Sequence, residues 1–161
     1  MPRSAPWFFF SAAIVLADQA VKWLVLASFA PGERLVLAPF FNLVLVFNKG
    51  AAFSFLADAP GWQTPVLVGF ALAAAAVVGI LILRNPQRVL LCVGLALILG
   101  GALGNAIDRL RFGQVVDFLD LHALGWHWPA FNVADSAITV GAVLIILEGF
   151  VRHEARPDAA P

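Results

Sequence analysis

Long apolar runs alternate with short polar stretches along this chain, and the runs have the length of membrane-spanning helices. A helix needs about 20 mostly apolar residues to cross the hydrocarbon core. Four runs meet or approach that length: 7–26, 65–83, 89–107 and 133–151. The second and third carry no charge. Asp18 and Lys22 interrupt the first; Asp135 opens the fourth and Glu148 lies near its end. The first run follows Arg3 and precedes small residues, as a cleaved leader would, but the apolar region of a leader is continuous. A retained span is therefore expected. The pattern predicts an α-helical membrane protein with four transmembrane helices, as a single integral membrane domain over 1–161.

The stretch 35–56 has a different rhythm. Val, Leu and Phe dominate it, but Pro39 and the triplet Asn48-Lys49-Gly50 break it. Two short strands joined near Pro39, then a turn at 48–50, fit these signals. This predicts a small sheet at the outer membrane surface. The connection 108–132 is expected on the same side. Trp62, Trp126 and Trp128 suit the headgroup level, where indole rings collect.

Charge gives the orientation. Arg84 and Arg88 crowd the short connection between the second and third runs, and Arg3, Arg152 and Arg156 fall on the same side. A brief, strongly basic connection marks the cytoplasmic face, so both termini are expected inside. Only 12% of residues are charged and 61% are hydrophobic, against about 25% charged in soluble domains. The formal net charge of zero gives no electrostatic reason to expect a nucleic-acid partner. The single cysteine, Cys92, precludes an internal disulfide or a cysteine-based zinc cluster and reads as a small core residue. There is no HExxH, no histidine cluster, no GxSxG and no phosphate-binding glycine loop. No metal and no cofactor are implied.

The chemistry concentrates in 100–136, which holds Asp108, Asp117, Asp120 and Asp135 between two apolar runs. Ionisable groups near a bilayer are costly and mark functional sites by default. Asp117 lies past the end of the third run and Asp135 in the first turn of the fourth, so both reach one depth at the outer surface. Two adjacent carboxylates share a proton; one activates water and the other donates to a carbonyl oxygen. That is aspartic-protease chemistry. Asp135 has a second reading: Asn132 looks like an N-cap, and an acid three residues on balances the helix dipole. Asp117, among Val115, Val116, Phe118 and Leu119, needs a partner or a raised pKa. Asp120 reads as a solvated loop carboxylate. Asp18 and Lys22 have the spacing of a helical ion pair that neutralises charge inside the bundle. Gly100, Gly101 and Gly104 either let helices approach closely or clear space for a substrate. Asn105, Asp108 and Arg109 share a face, with Arg109 pairing Asp108 or donating to a peptide carbonyl. On the residues alone, a proton relay through Asp18, Lys22, Asp108 and Arg109 stays open. So does a scaffold in which every acid is paired or capping.

Four pieces of the chain resemble one family: ADQAVKW (17–23), FNKGAAFS (47–54), GGALGNAIDRLRFGQVVDF (100–118) and FNVADSAI (131–138). The chain resembles the bacterial lipoprotein signal peptidases, or signal peptidase II, across all four runs. The resemblance implies a four-span inner-membrane aspartic endopeptidase with a small extracytoplasmic β-cradle. It would cleave a prolipoprotein just before the cysteine that carries a diacylglyceryl group, at the periplasmic face. It implies catalytic roles for Asp117 and Asp135, and site-shaping roles for Asp18, Lys22, Asn48, Gly50, Gly101, Asn105, Asp108, Arg109, Val115, Asn132 and Ala134. The implied partners are the lipidated precursor and membrane lipids, with the enzyme as a monomer.

Overall fold

The structure is a computed structural model that describes residues 2–50 and 61–154. Four helices long and apolar enough to cross a membrane are present among them: α1 (Ala5–Ser28), α2 (Gln63–Arg84), α3 (Val89–Phe112) and α4 (Val133–Glu154). Each expected span lies inside one of them. In α3, 56% of the most apolar stretch is buried, against 22% or less in the other three. It is the central helix, with α1, α2 and α4 packed around it. Large apolar side chains such as Phe9, Leu16, Phe70 and Phe150 point outward, as lipid-facing residues must, since lipid tails solvate them as well as a core would.

Helix α3 runs five residues beyond its apolar run, through Asp108, Arg109 and Arg111, and ends at Gly113. The chain can turn there because Gly113 takes φ 70°, a left-handed conformation that costs glycine little, while its N–H bonds the Arg109 carbonyl at 3.0 Å. Beyond the turn the chain enters a strand. The four strands β1 (Arg34–Ala38), β2 (Phe41–Asn48), β3 (Val115–Ala123) and β4 (Trp126–His127) form an antiparallel sheet in that order. The expected pair of strands broken near Pro39 is β1 and β2. The latter part of the expected outer segment, 51–56, lies outside the described residues, as do 155–161 of the tail.

Strand β3 corrects the expectation that 108–132 is only a connection. Its first four residues are all buried. The strand packs on the ends of α1 and α3. On its edge away from β2, the Phe131 carbonyl accepts the N–H groups of Phe118 and Leu119 at 3.0 and 2.8 Å. Val25 of α1, Leu45 of β2, and Val116 and Phe118 of β3 form a small core that seats the sheet on the end of the bundle. A second core of Val78, Ile82, Leu95, Ala96 and Leu99 closes the opposite end. There Trp7 Nε1 donates to the Pro86 carbonyl at 3.0 Å, and Arg88 is bonded to Glu148.

The glycines of α3 are packing positions. A Cβ at Gly100 would meet Ile14 of α1 at 2.7 Å, and one at Gly104 would meet Asp18 Oδ2 at 2.7 Å. At Gly101 it would strike the Ala134 carbonyl of α4. Close approach is thus what these residues provide, and it brings the start of α4 against α3.

Candidate active site

Three parts of the fold meet where the sheet caps the bundle: the ends of α1 and α3, the first half of β3, and the first turn of α4. Register places Asp117 of β3 opposite Val46 of β2, and Val115 opposite Asn48. Asp117 is 2% exposed. Its Oδ1 accepts from Asn132 Nδ2 at 2.7 Å and its Oδ2 from Asn48 Nδ2 at 3.1 Å. Burial pushes the Asp117 carboxyl up to about 7, and the negative charge of Asp135 adds to the rise. The two amide donors and Lys22 pull the other way without cancelling it.

Asp135 occupies the third position of α4. The Asn132 side chain accepts the Asp135 N–H at 2.9 Å, and the Asn132 N–H donates back to Asp135 Oδ2 at 3.2 Å. This is the reciprocal capping arrangement expected from the sequence, and it does not compete with a second role. The other oxygen, Oδ1, accepts from Asn105 Nδ2 at 2.8 Å. Asn132, fully buried, therefore holds both carboxylates: one through its side chain, the other through its backbone.

Behind this pair lies a buried ion cluster. Lys22 Nζ sits 2.9 Å from Asp18 Oδ2, 2.8 Å from Asp108 Oδ2 and 3.0 Å from Asn105 Oδ1. All three charged side chains are at most 2% exposed. The expected Asp18–Lys22 pair is there, but Asp108 joins it rather than pairing Arg109. The cluster also ties elements together. Asp18 Oδ1 accepts the Ala134 N–H of α4 at 2.9 Å, and Asp108 Oδ2 accepts the Val116 N–H of β3 at 3.1 Å. Two buried carboxylates on one ammonium are tolerable because both also accept from further donors.

Arg109 takes the other option left open for it and donates from NH2 to the Gly50 carbonyl at 2.9 Å. Its Nε is buried with no partner. Gly50 is fixed in turn by its N–H on Asn48 Oδ1 at 2.9 Å. Every residue expected at the site therefore gathers here, with Gly101 and Ala134 as the α3–α4 contact beneath it.

Two features are not evident from the sequence. Gln19 donates from Nε2 to Asp108 Oδ1 at 2.8 Å and to Asp18 Oδ2 at 3.2 Å. A polar residue between Asp18 and Lys22 in an apolar run was the available signal. Asp120 is not solvated: it is 5% exposed, and accepts from Asn42 Nδ2 at 2.7 Å while His127 Nδ1 lies 2.7 Å away. Burial alone would raise its pKa, but these two partners together hold it below the ordinary carboxylate value. His127 itself is exposed and stacks on His122.

The arrangement brings two carboxylates to one asparagine at the edge of a membrane bundle. Known proteins resemble this chain in both sequence and fold. The sequence model of the signal peptidase II family matches residues 10–151. The chain is 54% identical over 144 residues to the lipoprotein signal peptidase of Burkholderia pseudomallei strain K96243, covering 89% of this chain and 87% of that one. It is 52% identical, with the same coverage, to the lipoprotein signal peptidase of Paraburkholderia phymatum. Its fold is similar to a bacterial membrane enzyme solved in meso at 2.3 Å: TM-score 0.83, 26% identity, covering 98% of this chain and 94% of the other.

Proposed function

The chain belongs to the signal peptidase II family, and from that premise we propose that it removes signal peptides from prolipoproteins by aspartic catalysis at Asp117 and Asp135. The observation that carries this reading is the shared grip of Asn132 on both carboxylates, one buried on β3 and one on the first turn of α4. Groups held this way keep their geometry while a proton passes between them and the substrate. Asp117, with its raised pKa, holds the shared proton at rest. Asp135, at the positive end of a long helix, is the ionised partner.

In the reaction, Asp135 takes a proton from a water molecule as its oxygen attacks the scissile carbonyl carbon. Asp117 gives its proton to the carbonyl oxygen, and a neutral tetrahedral diol forms. Asp135 then protonates the leaving amide nitrogen, the C–N bond breaks, and the carbonyl re-forms as Asp117 recovers its proton. Each carboxylate ends as it began.

The substrate reading rests on the family and on physical sense. The proposed substrate is a prolipoprotein whose cysteine carries a diacylglyceryl group, cut just before that cysteine. Lipid chains anchored in the bilayer would present the scissile bond at the depth of the pair, a positioning gain that enzymes use widely. The site then lies at the periplasmic face of the inner membrane, with both termini cytoplasmic and the protein monomeric. The basic connection between α2 and α3, at the opposite end from the sheet, supports that orientation.

The test is cleavage by the purified protein in detergent, with a chelator throughout, of matched precursors with and without diacylglyceryl on the cysteine. The lipidated precursor is expected to be cut immediately before the cysteine. Cleavage of both precursors at equal rates contradicts the substrate assignment, and cleavage of neither contradicts the activity.

A further inference from the structure

The structure assigns Lys22 the task of fixing which end of the Asn105 carboxamide faces Asp135. The inference deepens the aspartic reading above and rests on it. An ammonium offers three N–H donors and no acceptor. Here all three are committed, to Asp18 Oδ2, Asp108 Oδ2 and Asn105 Oδ1. The Asn105 atom that meets Lys22 must be its oxygen, because an amide nitrogen there would set donor against donor. With the oxygen held inward, Nδ2 is what remains for Asp135, and it donates to Oδ1 at 2.8 Å. Asn132 Nδ2 bonds the same Asn105 oxygen at 3.1 Å and secures that orientation from the other side. A reversed amide would point an oxygen at the Asp135 carboxylate and repel the charge that the base must carry.

Lys22 touches neither Asp117 nor Asp135 in any hydrogen bond among the described residues. It is a positioning residue, and its effect reaches the reaction through Asn105. Its own place is secured by two acids that also reach the catalytic elements, Asp18 through the Ala134 N–H and Asp108 through the Val116 N–H. The cluster thus holds α1 against both elements that carry the reactive carboxylates, with an oriented donor between.

The experiment compares full-length enzymes in detergent on the diacylglyceryl-modified precursor. The variants are Lys22→Met/Asp108→Asn, which removes one positive and one negative charge together, Asn105→Leu, their combination, and Asp117→Asn. The double variant is expected to lose about 10- to 100-fold in kcat, the scale of a misplaced catalytic group, with KM within about twofold of the parent. In the Asn105→Leu background the same change should cost less than about threefold more, because the path it acts through is already gone. Losses that multiply, or that fall on KM, overturn the assignment. Cleavage by Asp117→Asn would instead sink the aspartic reading itself. If the double variant does not fold, the parent still decides the matter. Its Asn105 side-chain amide resonances, in 15N-asparagine-labelled protein, should shift with pH as the carboxylate pair titrates; resonances that ignore pH overturn the assignment.

Discussion

Asp117 ties stability and activity to one titration. Its pKa in the folded chain, about 7, stands above its ordinary value of 3.8. As pH rises through that window the unfolded chain has already ionised, while the folded one still holds the proton. The stability contributed by holding it is therefore present below pH 3.8 and lost as pH approaches 7. An Asp117→Asn variant does not titrate. Its unfolding free energy relative to the parent should rise by about 3 kcal/mol between pH 5 and pH 8, readable as a growing difference in thermal midpoint. Activity should fall as pH rises through about 7 and the pair loses its shared proton; a rate that keeps climbing to pH 9 contradicts the proton placement. Asp120 is the control carboxylate. Asp120→Ala leaves Asn42 buried and unsatisfied, at a cost of about 1–3 kcal/mol, while kcat should stay within about threefold of the parent. At this scale the sequence was informative where a residue's neighbours in the chain are its neighbours in space. The Asn132–Asp135 cap was legible from spacing. The Asp120–Asn42 and Lys22–Asp108 contacts were not, because each joins elements far apart in the chain, and a carboxylate in a connection looks solvated until its partner is placed.

The α3–α4 contact sets the distance between the donor Asn105 and Asp135. Gly101 lets the start of α4 lie directly against α3, with the Ala134 carbonyl over it. Gly101→Ala should destabilise the protein by about 1–3 kcal/mol through overpacking. It should also lower kcat about tenfold or more, because the added methyl moves the turn that carries Asp135. Thermal midpoint and kcat measured on the same preparation separate the two effects, and a variant with parent kcat would show that the crossing does not govern the site. The helices were legible because apolar length alone announces them. Strands β1 and β2 were legible because Pro39 and the Asn48–Gly50 triplet punctuate them. Strand β3 was hidden: Asp117 and Asp120 interrupt its apolar pattern, and burial on both sides erases the alternation that marks a half-exposed strand.

The whole molecule is a bundle that faces lipid around its sides, with the sheet and the carboxylate pair at one end and the basic α2–α3 connection at the other. The only native cysteine, Cys92, is fully buried, so engineered single cysteines report orientation cleanly. A membrane-impermeant maleimide added outside should label Ala123→Cys at the tip of β3 in spheroplasts, and should label Gln87→Cys only after the membrane is opened. The reverse pattern would place the site on the cytoplasmic face.

In the proposed reaction two carboxylates, held by one asparagine, do the chemistry. The deciding measurement is cleavage of the diacylglyceryl-modified precursor by purified parent, Asp117→Asn and Asp135→Asn, each shown to be folded by its thermal unfolding, with a chelator present. The parent should cut, and each substitution should lower the rate by about 10³-fold or more, within the range that a general acid or base contributes. Folded variants that cut within about tenfold of the parent would contradict that reaction and leave Asp135 as a helix cap and Asp117 as a buried structural acid.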